Sequence, residues 1–101
     1  MSFDMYAGDT HESIAHQDEF IFALAKADAS RYPELVAIWE AFYDDPRIST
    51  ARAGALVHEL IELLNTNGGV KAGPLAYTVL RLLPFFSGAY RNNQEIRCES
   101  D

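Results

Sequence analysis

Between Ala53 and Leu64 the chain carries two adjacent rows of apolar residues at helical spacing. Ala53, Leu56, Leu60 and Leu63 form one row, and Val57, Ile61 and Leu64 form the next. An apolar face that wide must be covered on more than one side. It therefore predicts a central helix with other elements packed round it. Ser49 or Thr50 supplies its N-cap. Asn65-Thr66-Asn67-Gly68-Gly69 closes it with residues that tolerate positive φ.

Three further helices are expected around it. One runs from about Ser13 to Ala27, with Ile14, Ile21 and Leu24 on one face. A second starts at Pro33, whose missing N–H costs nothing in a first turn. Leu35, Ile38, Trp39 and Phe42 follow at i, i+3, i+4 and i+7, and Asp44-Asp45-Pro46 stops it. The last opens at Gly73-Pro74 and continues through Leu75, Val79, Leu82 and Leu83. Pro84 should kink or end it, leaving Phe85, Phe86 and Tyr90 in a short second piece. Phe3 and Met5 alternate with Asp4 and Tyr6, which is the period of a strand. Gly8, Asp9 and Thr10 supply a turn. Residues 95–98 either pair with residues 2–6 or belong to a polar tail over 92–101.

The expected fold class is therefore mainly α: about four helices in one compact bundle, open to a short two-stranded β ribbon joining the N- and C-terminal segments. The 101 residues suit one domain over 1–101. A chain of this size buries roughly 65% of its unfolded surface. The 49% of hydrophobic residues argues against disorder of the whole chain. There is no internal repeat and no low-complexity segment.

Cys98 is the single cysteine, so neither an internal disulfide nor a Cys-rich zinc site is available, and a reducing compartment is expected. The opening Met-Ser-Phe-Asp has neither a basic n-region nor an apolar h-region. The apolar run from Leu75 to Phe86 is broken by Arg81 and is too short to span a bilayer. The expected location is cytoplasmic.

The net charge of −7 is unevenly placed. Residues 1–45 hold ten acids and two bases, and residues 46–101 hold five acids and six bases. So acidic a first half repels phosphate, which disfavours nucleic acid and an anionic membrane surface as partners. It would steer in a basic protein.

Catalytic patterns are weak. His11, Glu12 and His16 suggest a zinc motif, but the two His lie five apart and diverge by about 140° on a helix. No metal and no cofactor are expected. His58 and Glu62 sit at i and i+4, close enough to meet as a polar pair, with Asn65 on the same face. They are the candidate catalytic residues of an alternative reading, a homo-oligomeric small-ligand module or enzyme. Ser87-Gly88 lacks the nucleophile-elbow frame. The stretch from Asn67 to Pro74 is glycine-rich without the Walker pattern, and Cys98 has no base near it in sequence. Whether the chain is an enzyme stays open at this point, with the balance against.

Two candidate partner surfaces remain. Phe85 and Phe86 follow an already apolar helix, and any part left uncovered would favour self-association, as in a homodimer. Tyr43, Asp44 and Asp45 end the second helix, near Tyr32 and Trp39, as aromatics rimmed by acids that would suit a basic partner.

The Phe3-Asp4-Met5-Tyr6 strand, the helical body and the acidic first half together resemble the small acidic immunity proteins that neutralise bacterial toxins. The resemblance is one of type across the whole chain, with no shared motif, so it transfers no binding residue. It implies a dedicated protein partner. The expected function is a non-catalytic protein-binding domain, of inhibitor or immunity type, directed at a basic protein.

Overall fold

A computed structural model describes residues 2–100. Two neighbouring segments near the N-terminus pair as a hairpin. Strand β1 (Ser2–Ala7) turns through Gly8 and Asp9 into β2 (Thr10–Ala15). Gly8 takes φ +57°, the kind of backbone angle that tight hairpin turns reserve for glycine. A single 3-10 turn, His16–Asp18, leads into α1 (Phe20–Lys26). Then come α2 (Pro33–Glu40), a two-residue strand β3 (Arg47–Ile48), α3 (Thr50–Thr66), a 3-10 turn at Gly69–Ala72, α4 (Pro74–Arg91) and β4 (Ile96–Ser100).

The four strands form one antiparallel sheet in the order β2-β1-β4-β3. The class is α+β, which corrects the expectation of a mainly helical bundle. Residues 95–98 do join residues 2–6, with Met5 opposite Cys98 and Tyr6 opposite Arg97. That pairing is the middle of a four-stranded sheet, and β4 is an interior strand, neither an edge nor a tail. Its alternation explains why: Ile96 and Cys98 point inward and are buried, while Arg97 and Glu99 point to solvent.

The expected helix from Ser13 begins only at Phe20. Residues 13–15 belong to β2, where Ile14 is buried opposite Phe3. Ile14 fits either period, and cross-strand pairing through a two-residue turn decides for the strand. The expectation that Pro84 ends the last helix is also corrected, since α4 continues to Arg91. Pro84 and Leu80, whose carbonyl loses its i+4 donor, are both exposed, so water can serve that carbonyl. Beyond it Phe85, Phe86 and Ala89 are buried and tie the second half of the helix to the core.

Helices α3 and α4 make the largest helix contact and lie over one face of the sheet. Leu56 and Leu60 of α3 and Val79 and Leu82 of α4 are fully buried with Phe3 and Met5. Ser49 caps α3, its hydroxyl accepting from the Arg52 N–H at 3.2 Å. The N-terminus of α2 is capped from a distance. The Glu59 carboxylate accepts from the N–H groups of Glu34 and Leu35, both at 2.9 Å. Among the described residues, no helix is long and apolar enough to cross a membrane.

Both edges of the sheet are held by side chains. On β2 the outward Ser13 carbonyl accepts from Arg81 Nη1 at 2.7 Å, and the Ala15 N–H donates to Asp18 Oδ2 at 3.0 Å. On the far side the Arg47 carbonyl accepts from Arg52 Nη1 at 3.3 Å. Where the two-residue β3 stops, β4 goes on pairing with what precedes it. Cys98 N–H donates to the Pro46 carbonyl and Ser100 N–H to Asp45 Oδ1, both at 3.1 Å.

Candidate functional site

The turn that follows α2 presents an aromatic ring among uncompensated acids. Its support begins in the core. Phe42 is buried and stacks on Phe3 at 4.5 Å, with Trp39 at 5.2 Å and Phe22 edge-on at 5.8 Å. Tyr43 packs edge-on against Phe42 at 5.4 Å yet leaves 59% of its surface in solvent. The backbone is fixed on either side. Asp44 N–H donates to the Ala41 carbonyl at 2.9 Å, and Asp45, at φ +47°, holds the end of β4 through Ser100. Tyr43 is thus an exposed ring on a rigid seat.

The electrostatics of this turn are unfavourable to the free protein. Glu40 is the last residue of α2, and Asp44 and Asp45 follow it. No base lies in the last turn of α2. A helix C-terminus carries partial negative charge and prefers cations, so carboxylates there cost stability. Among the described residues Glu40 and Asp44 form no ion pair, whereas six of the ten acids of the first half have a basic side chain beside them: Asp4 has His11, Glu12 and Asp18 have Arg81, Glu19 has His16, Asp28 has Arg31, and Glu34 has Arg52.

The other predicted residues fall as follows. Tyr32 is 2% exposed and belongs to the core, not to the aromatic group at this turn. Phe85 and Phe86 also lie in the core, edge to face at 5.6 Å, which removes them as a partner surface. Their helix turns them inward, a direction that the apolar run alone did not fix. His58 and Glu62 are both exposed and do not bond to each other; Glu62 faces Arg31 at 3.7 Å. His58 instead lines a shallow groove of about 400 Å³ between α3 and α4 with Gly54, Ser87 and Tyr90. His11, Glu12 and His16 each have separate partners, respectively Asp4, Arg81 and Glu19. Among the described residues no group of three or more His, Cys, Asp or Glu is placed to hold a metal ion. Cys98 is buried, and burial pushes its thiol up to about 12.

One polar cluster escaped the sequence reading. Asp18, 6% exposed, accepts from Thr78 Oγ1 at 3.1 Å and from Arg81 Nη2 at 2.7 Å, and Arg81 Nη1 reaches Glu12 at 2.6 Å. Burial lowers the Arg81 pKa, but its bond to Glu12 and the charges of Asp18 and Glu12 outweigh that and hold it above the ordinary arginine value. The available signal was Arg81 itself, a lone charge inside an apolar helical run. These bonds join β2 to α4, so the cluster reads as a clasp between them. No protein-family model matches the chain, and neither a curated protein nor a solved structure matches it.

Proposed function

We propose that this chain is a non-catalytic protein-binding domain whose contact with a basic partner centres on Tyr43 and the carboxylates of Glu40 and Asp44. One observation carries the reading: an exposed aromatic packed against Phe42 stands beside acids at a helix C-terminus that has no base in its last turn and, among the described residues, no ion pair to Glu40 or Asp44. A lysine or arginine from a partner would answer both the free carboxylates and the helix dipole. Preorganised aromatics are favoured as interface anchors because little freedom is lost on binding. The immunity-type likeness points the same way, towards an inhibitor of a basic protein.

The test is capture from a lysate of the chain's own cells by the tagged protein and by a Tyr43→Ala/Asp44→Asn double variant. The expected result is a stoichiometric basic protein that the wild type holds at low salt, loses at high salt, and that the variant fails to hold. A basic protein held equally by both would refute the site. Capture of no basic protein under any condition would refute the charge-directed reading.

A further inference from the structure

We propose that the cleft between the 3-10 turn at His16–Asp18, α1 and the start of α4 binds a free α-amino acid with an apolar side chain, its ammonium on Asp18 and Thr78 and its carboxylate on Arg81. Two adjoining hollows make up the cleft, with Gln17, Phe20 and Pro74 as their common wall. The first, about 330 Å³, is lined by Asp18, Thr78 and Arg81, with Tyr77 beside them. The second, about 480 Å³, is lined by Leu24, Ala72 and Leu75. One hollow thus supplies charge and hydrogen bonds, and the other apolar surface. Small-molecule sites fall in this size range and combine apolar walls with a few convergent polar groups. Asp18 and Thr78 are only 6% and 2% exposed. Buried polar side chains are the informative exceptions in a core, and here both line the same hollow.

These groups keep bonding capacity beyond the clasp. A guanidinium has five N–H donors. Arg81 spends its Nη1 donors on Glu12 and the Ser13 carbonyl, and one Nη2 donor on Asp18. Among the described residues its Nε–H and second Nη2 proton find no acceptor, and 26% of the side chain stays in solvent. Asp18 accepts from Thr78, the Ala15 amide and Arg81, one short of the roughly four bonds a carboxylate can take. Thr78 gives its hydroxyl proton to Asp18 and keeps its lone pairs. Donors and acceptors are therefore both to spare in one hollow.

Charge narrows the ligand further. Arg81 stands against two carboxylates, Asp18 and Glu12, so the cluster carries an excess negative charge and rejects a lone carboxylic acid. A lone amine would leave the remaining Arg81 donors unanswered. A zwitterion answers both sides. Its carboxylate takes the guanidinium in a charge-assisted pair, and its ammonium donates to Asp18 and Thr78. The side chain then extends past Phe20 and Pro74 into the apolar hollow.

No residue of this cleft belongs to the turn at Tyr43, so the proposal stands apart from the basic-partner contact. The experiment is an amide NMR titration of the full chain with L-phenylalanine and L-leucine. 2-Phenylethylamine, which lacks the carboxylate, and 3-phenylpropionate, which lacks the ammonium, serve as comparisons. The expected result is saturable binding of at least one amino acid with a Kd of about 1 mM or tighter, and shifts centred on Asp18, Tyr77 and Thr78. Both comparison compounds should bind at least about tenfold more weakly. Two variants probe the two hollows, with circular dichroism checking that each is folded. Thr78→Val keeps the shape and removes an acceptor, and Ala72→Asp places a carboxylate in the apolar hollow. Each should weaken the amino acid at least about tenfold. No saturation by either amino acid at about 10 mM would overturn the proposal, as would shifts centred elsewhere. An amine or acid that binds as tightly as the zwitterion would overturn it too, and so would wild-type affinity in either folded variant.

Discussion

The Asp18 carboxylate sits 2.7 Å from the Arg81 guanidinium and also accepts from Thr78 and the Ala15 amide. One side chain thereby joins the end of β2 to the middle of α4. Removing Arg81 would strand Asp18, at 6% exposure, with an uncompensated charge. Arg81→Ala should cost about 2–4 kcal/mol, somewhat less than a fully buried pair because Arg81 keeps partial contact with water. Asp18→Asn, which keeps the hydrogen-bonding shape, should cost less. Urea unfolding of the two variants checks the order, and equal losses would deny the charge its role.

The Tyr32 hydroxyl is buried and has no hydrogen-bond partner among the described residues. A stranded hydroxyl costs the desolvation of that group, about 1–3 kcal/mol. Tyr32→Phe removes the oxygen and keeps the ring, so it should leave stability unchanged or raise it by about 1 kcal/mol. A thermal melt decides. A clear loss of stability would mean that the hydroxyl is bonded in solution.

Cys98 should be inert in the folded protein and reactive only after unfolding. Its thiol is pushed up to about 12 from an ordinary 9.0 by burial. The folded-state value is raised, so the contribution to stability is complete below about pH 9 and lost as pH rises towards 12. The slope cannot exceed about 1.4 kcal/mol per pH unit from this one group. Cys98→Ala should flatten the alkaline fall, and a thiol reagent should label the wild type only in denaturant. Rapid labelling of the folded wild type would contradict the burial.

Glu59 reaches from α3 to cap α2. Glu59→Ala should cost about 1–2 kcal/mol, the usual worth of an N-cap. Its pKa is raised, because burial outweighs the two backbone hydrogen bonds that act to lower it. A raised carboxyl contributes most when protonated, and that contribution fades as pH rises through the folded-state pKa. Compared with Glu59→Gln, the wild type should therefore lose ground as pH climbs through the carboxylate range. Parallel stability curves for the two proteins would contradict this assignment.

Local signals located α2 and α3 well. Pro33 opens the one, Ser49 caps the other, and the apolar rows at Leu35–Ile38 and Leu56–Leu60 are indeed buried. What local signals could not supply was pairing between distant segments. Ile14 has helical company in Ile21 and Leu24, and only the neighbouring β1 makes it a strand residue. Cys98 looks like part of a polar tail until β1 and β3 flank it. The exposed turn at Tyr43 was visible as aromatic next to acid. Burial of Phe85 and Phe86 was not, because an apolar run does not say which way each ring turns. Nor could a lone arginine in such a run reveal that it meets Asp18, 63 residues earlier.

An open sheet usually advertises its rim, and a bare strand invites another to add itself. Here guanidinium forks occupy a carbonyl on each rim, Arg81 at Ser13 and Arg52 at Arg47. Each fork is tethered in turn by a carboxylate, Asp18 or Glu34. The same contacts that fasten helices to the sheet therefore occupy part of each rim, and a chain lacking either arginine should pair edge to edge more readily than the wild type.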